Sequence, residues 1–197
     1  MQKEHEALIT KLLTEIENSS KGELERTLQI RLWTMITENK NLNDQKQILT
    51  KLNIFCVQYG VGFWTKKFGD AQRIEHVLTV AFQAASGAVY EAEAMAVRDD
   101  FYVSMVENEG YELDEYPAMF VAHAAANTVI TAVADVRFDA DDEQRDQDLD
   151  PEKFEPDYLT ASAFAGGLSD VGNPELRRAF WRWYLSVAVP QVISDLP

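Results

Sequence analysis

The sequence predicts an all-α fold, a single-domain bundle of about six to eight helices. Apolar residues recur at spacings of three and four along most of the chain, no stretch alternates with a period of two between turn residues, and two segments are rich in alanine. A length of 197 residues suits one domain, and 46% hydrophobic residues supply its core.

Leu8, Leu12, Leu13 and Ile16 mark one face of a first helix over residues 4–18, which Ser19, Ser20 and Gly22 end. A second, from about Glu23 to Glu38, carries the stripe Leu24, Leu28, Leu32, Met35 and Ile36. The turn at Asn39, Asn41 and Asn43 follows, and Asp44 is placed to cap a third helix reaching about Lys66, with Ile48, Leu52, Phe55 and Tyr59 inward. Gly60 and Gly62 either admit a close neighbour or bend that helix. Gly69 suits a left-handed C-cap and Asp70 the N-cap of the longest predicted helix, Ala71 to about Arg98. Residues 99–114 read as acidic and partly helical. A second alanine-rich helix spans about Glu115 to Phe138. Alanine faces let helix axes approach to the low end of the ~8–10 Å range, so these two helices are expected to form a central pair. Residues 139–157 are almost without apolar side chains and read as an exposed acidic loop or short polar helix. Asn173 and Pro174 begin a last, largely buried helix that Pro190 kinks or ends.

The net charge is −15, and it is unevenly spread. Residues 1–87 carry 10 acids and 11 bases, residues 88–160 carry 20 and 4, and residues 161–197 carry 3 and 3. An acidic middle third repels nucleic acid and anionic membrane and attracts basic proteins. No run of about 18 apolar residues suggests a membrane helix, and no apolar signal core follows the N-terminal Met-Gln-Lys-Glu-His-Glu, so a cytoplasmic location is expected. The one cysteine, Cys56, lies among Asn53, Ile54, Phe55 and Val57 and reads as a small core residue.

Catalytic and metal patterns are lacking. His5, His76 and His123 are scattered, and no Glu-x-x-His pair occurs. Asp146-x-Asp148-x-Asp150 opens like a calcium loop, but its sixth position is Pro151, where the loop requires glycine. There is no nucleophile elbow, phosphate-binding loop or dinucleotide fingerprint. The expectation is a protein that is not an enzyme, holds neither metal nor cofactor, and works by binding.

Three stretches carry a family resemblance: Cys56 to Asp70 leading into Arg73-Ile74-Glu75-His76-Val77-Leu78, the run Ala122-His123-Ala124-Ala125-Ala126, and Leu176-Arg177-Arg178-Ala179-Phe180-Trp181-Arg182-Trp183-Tyr184-Leu185. Over about residues 30–190 the chain resembles the fifth immunity-protein family of bacterial polymorphic toxin systems, described as all-α. The resemblance implies a protein that binds and neutralises a cognate toxin in the producing cell. A toxin that cuts nucleic acid has a basic cleft, and an acidic surface could occupy it. Asp139, Asp141, Asp142, Glu143, Asp146, Asp148 and Asp150 are the candidate contacts, with Glu107, Glu109, Glu112, Asp114 and Glu115 as a second edge. Two other readings stand beside this one. The first is a structural or regulatory protein that self-associates through its alanine-rich helices, which leaves a homo-oligomer open. The second is an enzyme built from scattered acids and Arg31, Arg73 or Arg98.

Overall fold

The computed structural model describes residues 2–135, 138 and 144–194. Among the described residues every regular element is helical: α1 Gln2–Asn18, α2 Arg26–Thr37, α3 Leu42–Phe68, α4 Gln72–Ala85, α5 Glu91–Tyr102, α6 Tyr116–Val133, α7 Pro156–Ala165, α8 Pro174–Trp183 and α9 Val189–Ser194. Five-residue π turns extend α5 over Val103–Glu107 and join α8 to α9 over Tyr184–Ala188.

The expected first helix, the Gly69 C-cap (φ 87°) and the Asn173–Pro174 start are all found, Asn173 accepting from the N–H groups of Glu175 and Leu176. Asn41, not Asp44, caps α3; its side chain accepts from the Asp44 N–H. The predicted long helix from Ala71 is two helices. Gly87 takes a left-handed conformation (φ 76°) and reverses the chain between α4 and α5. The last helix does not stop at Pro190. The π turn closes with the Val189 N–H on the Tyr184 carbonyl, immediately ahead of the proline, which has no N–H to offer.

Helix α6 is the centre. It is flanked by α3, α4, α5 and α7, so the alanine-rich helices do meet, with α3 as an equal partner. Its Ala118, Ala122, Ala124, Ala125, Ala126 and Ala132 are all buried inside the chain. The stretch Leu113–Val133 is apolar enough to cross a membrane by length and composition. Here that apolarity serves burial on every side. No alanine face of α6 is left for a second copy of the chain.

Two apolar clusters flank this centre. One gathers Trp64 and Val57 with α4, α5, α6 and Tyr158 and Leu159 of α7. The other gathers α1, α2 and the start of α3 around Phe180, Trp181 and Tyr184, and includes the fully buried Cys56. Helix α3 runs through both. At its midpoint a Cβ on Gly60 would meet Thr160 Cγ2 at 3.0 Å and Val121 Cγ2 at 3.1 Å. The glycine is there because α6 and α7 come that close. Replacing Gly60 with leucine is expected to cost about 1–3 kcal/mol in urea unfolding, by overpacking; replacement of the open Gly62 by alanine should cost nothing of that size.

Candidate partner-binding surface

The acids of the middle third divide into two groups, outward and inward. Between α6 and α7 the described chain makes two 3-10 turns, Asp146–Asp148 and Pro151–Lys153. Asp148, Asp150 and Glu152 are exposed on them. Asp148 is paired within the turn to Arg145, at 2.8 Å, and Asp150 accepts the Glu152 N–H as a cap. Asp139, Asp141, Asp142 and Glu143 lie outside the described residues.

Asp146 is a correction to the sequence reading. It is 4% exposed and faces inward, where its Oδ2 accepts from the Gln29 amide at 3.3 Å and its Oδ1 lies 4.0 Å from the Arg26 guanidinium. Burial first, then the nearby Asp157 charge, pushes its carboxyl well above the ordinary range. A side chain so placed holds the turn to α2 and offers nothing to a partner. Arg26 also binds Glu155, at 3.2 Å. Next to Glu155 comes Asp157, fully buried in the first turn of α7. It accepts the Tyr158 N–H, and it sits beside the Tyr184 hydroxyl, which accepts from Trp33 Nε1 at 3.0 Å. Burial, then the Glu155 charge, raises Asp157 to about 7.

The other side of the segment is fastened by helices α5 and α6. The Asn127 amide donates to the backbone carbonyls of Glu152, at 3.3 Å, and Phe154, at 2.7 Å. His123 lies one helical turn earlier, between Tyr102 and Phe154, with a hydrogen bond to the Pro151 backbone. Burial, then the Arg98 charge, lowers it to about 4, so the ring is neutral at pH 7. Arg98 stacks over Tyr102 and reaches Asp99 at 3.0 Å and Glu152 at 4.0 Å. The turns 146–154 are therefore held on two sides by buried side chains, Asn127 and His123 acting on backbone atoms and Gln29, Arg26 and Arg98 on carboxylates. A segment held in this way pays little ordering entropy when it binds.

The second predicted edge lies at the other end of α6. Lys67, at the end of α3, takes Glu115 at 2.7 Å, Glu109 at 3.7 Å and the Gly110 carbonyl at 2.9 Å. Glu109 and Glu115 are thus neutralised from the first part of the chain. Glu112 and Glu115 form a reciprocal capping box at the start of the helical stretch. Glu107, Glu112 and Asp114 are exposed and have no ion pair among the described residues, as is the case for Glu91, Glu93 and Asp100 on α5. Beside them Leu113 is 79% exposed and Tyr116 is 38% exposed. Apolar anchors rimmed by charge are the anatomy of a protein interface.

Arg26, Gln29, Asn127 and Asp157 escaped the sequence reading, and Arg98 entered it only as a possible catalytic arginine. One signal was available: His123 and Asn127 stand four apart, as polar residues on one face of a helix made mostly of alanine and apolar residues. The three arginines of the enzyme reading do not converge. Arg98 is buried under the turns, Arg31 is exposed, and Arg73 is spent on the Ser104 hydroxyl. A cleft of about 510 Å³ does open beside Glu23, Arg26 and Asp146, with neither histidine nor cysteine on its wall. No group of His, Cys, Asp and Glu able to hold a metal ion occurs among the described residues.

A family model described as immunity protein Imm5 matches residues 9–191, nearly the whole chain. No curated protein matches the sequence.

Proposed function

The chain belongs to the Imm5 family of immunity proteins, and on that premise we propose that it neutralises a cognate toxin in the producing cell's cytoplasm by binding it non-catalytically through acidic surface. One observation supports this reading most: exposed carboxylates at Glu107, Glu112, Asp114, Asp150 and Glu152 are mounted on elements that the fold holds still. Exposed negative charge on a rigid support steers a basic partner and registers it. The chemistry fits a toxin whose own surface is basic, as that of a nucleic-acid-cleaving enzyme must be.

The test is co-expression with a candidate toxin from the same gene neighbourhood, scored by survival, followed by association kinetics. The triple change Glu107→Lys, Glu112→Lys, Asp114→Lys is expected to slow association at low salt by about tenfold or more, with a smaller loss at high salt. The same reversal at Asp150 and Glu152 tests the turns. If both charge-reversed proteins associate at the wild-type rate in low salt, acidic recognition is refuted. If the wild-type chain gives no protection, the immunity reading itself falls.

A further inference from the structure

Three carboxyl groups meet beneath the turn Asp146–Asp148, with one guanidinium among them in the described residues. Asp146 comes from the turn, Glu155 and Asp157 from the start of α7, and Arg26 from α2. Glu23, half-buried just ahead of α2, brings a fourth acid to bear on Asp146. From α3 the buried Cys56 thiol faces Asp157, and from the π turn the Tyr184 hydroxyl does, while Tyr158 of α7 faces Asp146. Two further cations act on Glu23 and are engaged elsewhere, Lys21 with Asp170 and Arg177 with backbone carbonyls.

Hydrogen bonding shows that this set is not fully ionised. Asp146 is 4% exposed and Asp157 is 0% exposed, and Oδ1 of the first and Oδ2 of the second meet neither solvent nor a hydrogen-bond partner among the described residues. A carboxylate ion with a dry, unpaired oxygen is costly to bury, and a neutral carboxyl group far less so. Both groups are accordingly shifted upward, Asp157 to about 7. Arg26 lies nearer Glu155, at 3.2 Å, than Asp146, at 4.0 Å. When the protons leave, Asp146 is the member with somewhere to go. Asp157 sits in a helix buried from Pro156 to Ala163. The turn, by contrast, closes on itself, the Asp148 N–H on the Arg145 carbonyl and the Leu149 N–H on the Asp146 carbonyl. It also borders the cleft of about 510 Å³ through Gln144, Arg145 and Asp146.

We propose that the turn Asp146–Asp148 is a proton-operated latch, docked on α2 while Asp146 and Asp157 are protonated and released into solvent when rising pH ionises them. The docked state holds a proton on Asp146 that the released, solvated side chain gives up. Each pH unit between those two conditions therefore shifts the ratio of docked to released turn by up to about tenfold, toward release. Residues 151–154 stay in place, because Asn127 and His123 hold their backbone and His123, lowered to about 4, does not titrate in the neutral range. Release adds the Asp146 charge to the outward-facing acids. The latch is a property of the chain alone and stands whether or not its partner is a toxin.

Carbon-detected NMR of the full chain from pH 5 to pH 9 reads the latch without amide protons. The Asp146 carboxyl carbon is expected to titrate well above the ordinary aspartate range. The Cα shifts of residues 145–149 should travel more than half of the way to random-coil values with the same midpoint, while those of α6 stay fixed. Asp146→Asn keeps an oxygen for the Gln29 amide and has no proton to lose, so its turn should remain docked up to pH 9. Asp157→Asn, which removes a neighbouring charge, should move release to higher pH. An Asp146 carboxyl that titrates in the ordinary range, turn shifts that stay put while Asp146 ionises, or α6 shifts that move in step with the turn each overturns the latch. So does release at the wild-type pH in either folded variant. The first three outcomes are read on the wild type, so the latch stays refutable even where a variant does not fold.

Discussion

Asp157→Asn is expected to stabilise the protein at pH 8 and to flatten the fall in stability between about pH 4 and pH 7. The reason lies in the direction of the shift. In the unfolded chain this carboxyl titrates near 3.8, while in the fold it is raised to about 7 by burial and by the Glu155 charge. Through that window the folded state keeps a proton that the unfolded state has released. Stability therefore drops as the pH rises, and the penalty is complete above the folded value. Three units at 1.36 kcal/mol each set an upper figure of about 4 kcal/mol. Asparagine keeps an oxygen for the Tyr158 N–H and removes the charge. Urea unfolding at pH 5 and pH 8 reads both effects. The wild type should be the more stable at pH 5, and the variant should gain most at pH 8. Asp146 is shifted the same way and keeps its own slope, so the profile flattens without becoming level. An unchanged pH slope in the variant would show that Asp157 is not the protonated group.

The second large effect is expected at Arg177. Its guanidinium is 2% exposed and donates to four backbone carbonyls, those of Ser169 at 2.6 Å, Gly167 at 2.7 Å, Val171 at 2.8 Å and Lys21 at 3.2 Å. Three belong to the loop between α7 and α8, and the fourth to the turn after α1. One side chain thus closes both loops over the base of α8. Methionine conserves most of the stem and leaves the carbonyls without donors, at a cost of about 3–5 kcal/mol. Lysine keeps the charge but not the planar fork, so it should recover less than half of the loss. Thermal unfolding of the two variants measures this. A loss below about 1 kcal/mol for Arg177→Met would mean that water replaces the guanidinium at no cost.

The fold class was legible because helical periodicity and punctuation are local. Gly69 and the Asn173–Pro174 pair announce their own boundaries through φ and through hydrogen bonds to near neighbours. The split at Ser86–Gly87 was not legible, because Ala-rich sequence on either side favours helix and a single glycine there does not oblige a break. The polar anchors were hidden for a different reason. Arg26 meets Glu155, and Gln29 meets Asp146, across more than 100 residues of chain. Charge counting treats every carboxylate as solvated; nothing local separates Asp146, turned inward, from Asp148, turned outward two positions later. Glu109 and Glu115 were misjudged in the same way, since their neutralising Lys67 comes from another helix.

The grip on the turns 146–154 has a consequence for how this surface can change. Asn127 fastens main-chain oxygens of Glu152 and Phe154, and His123 that of Pro151. None of these attachments depends on what side chain residues 148, 150 or 152 present to solvent. Those positions are letters on a fixed rail: they can be rewritten while the Asn127 and His123 fasteners beneath stay as they are. Freedom to exchange surface charge without loss of folding follows from attaching the rail by its backbone.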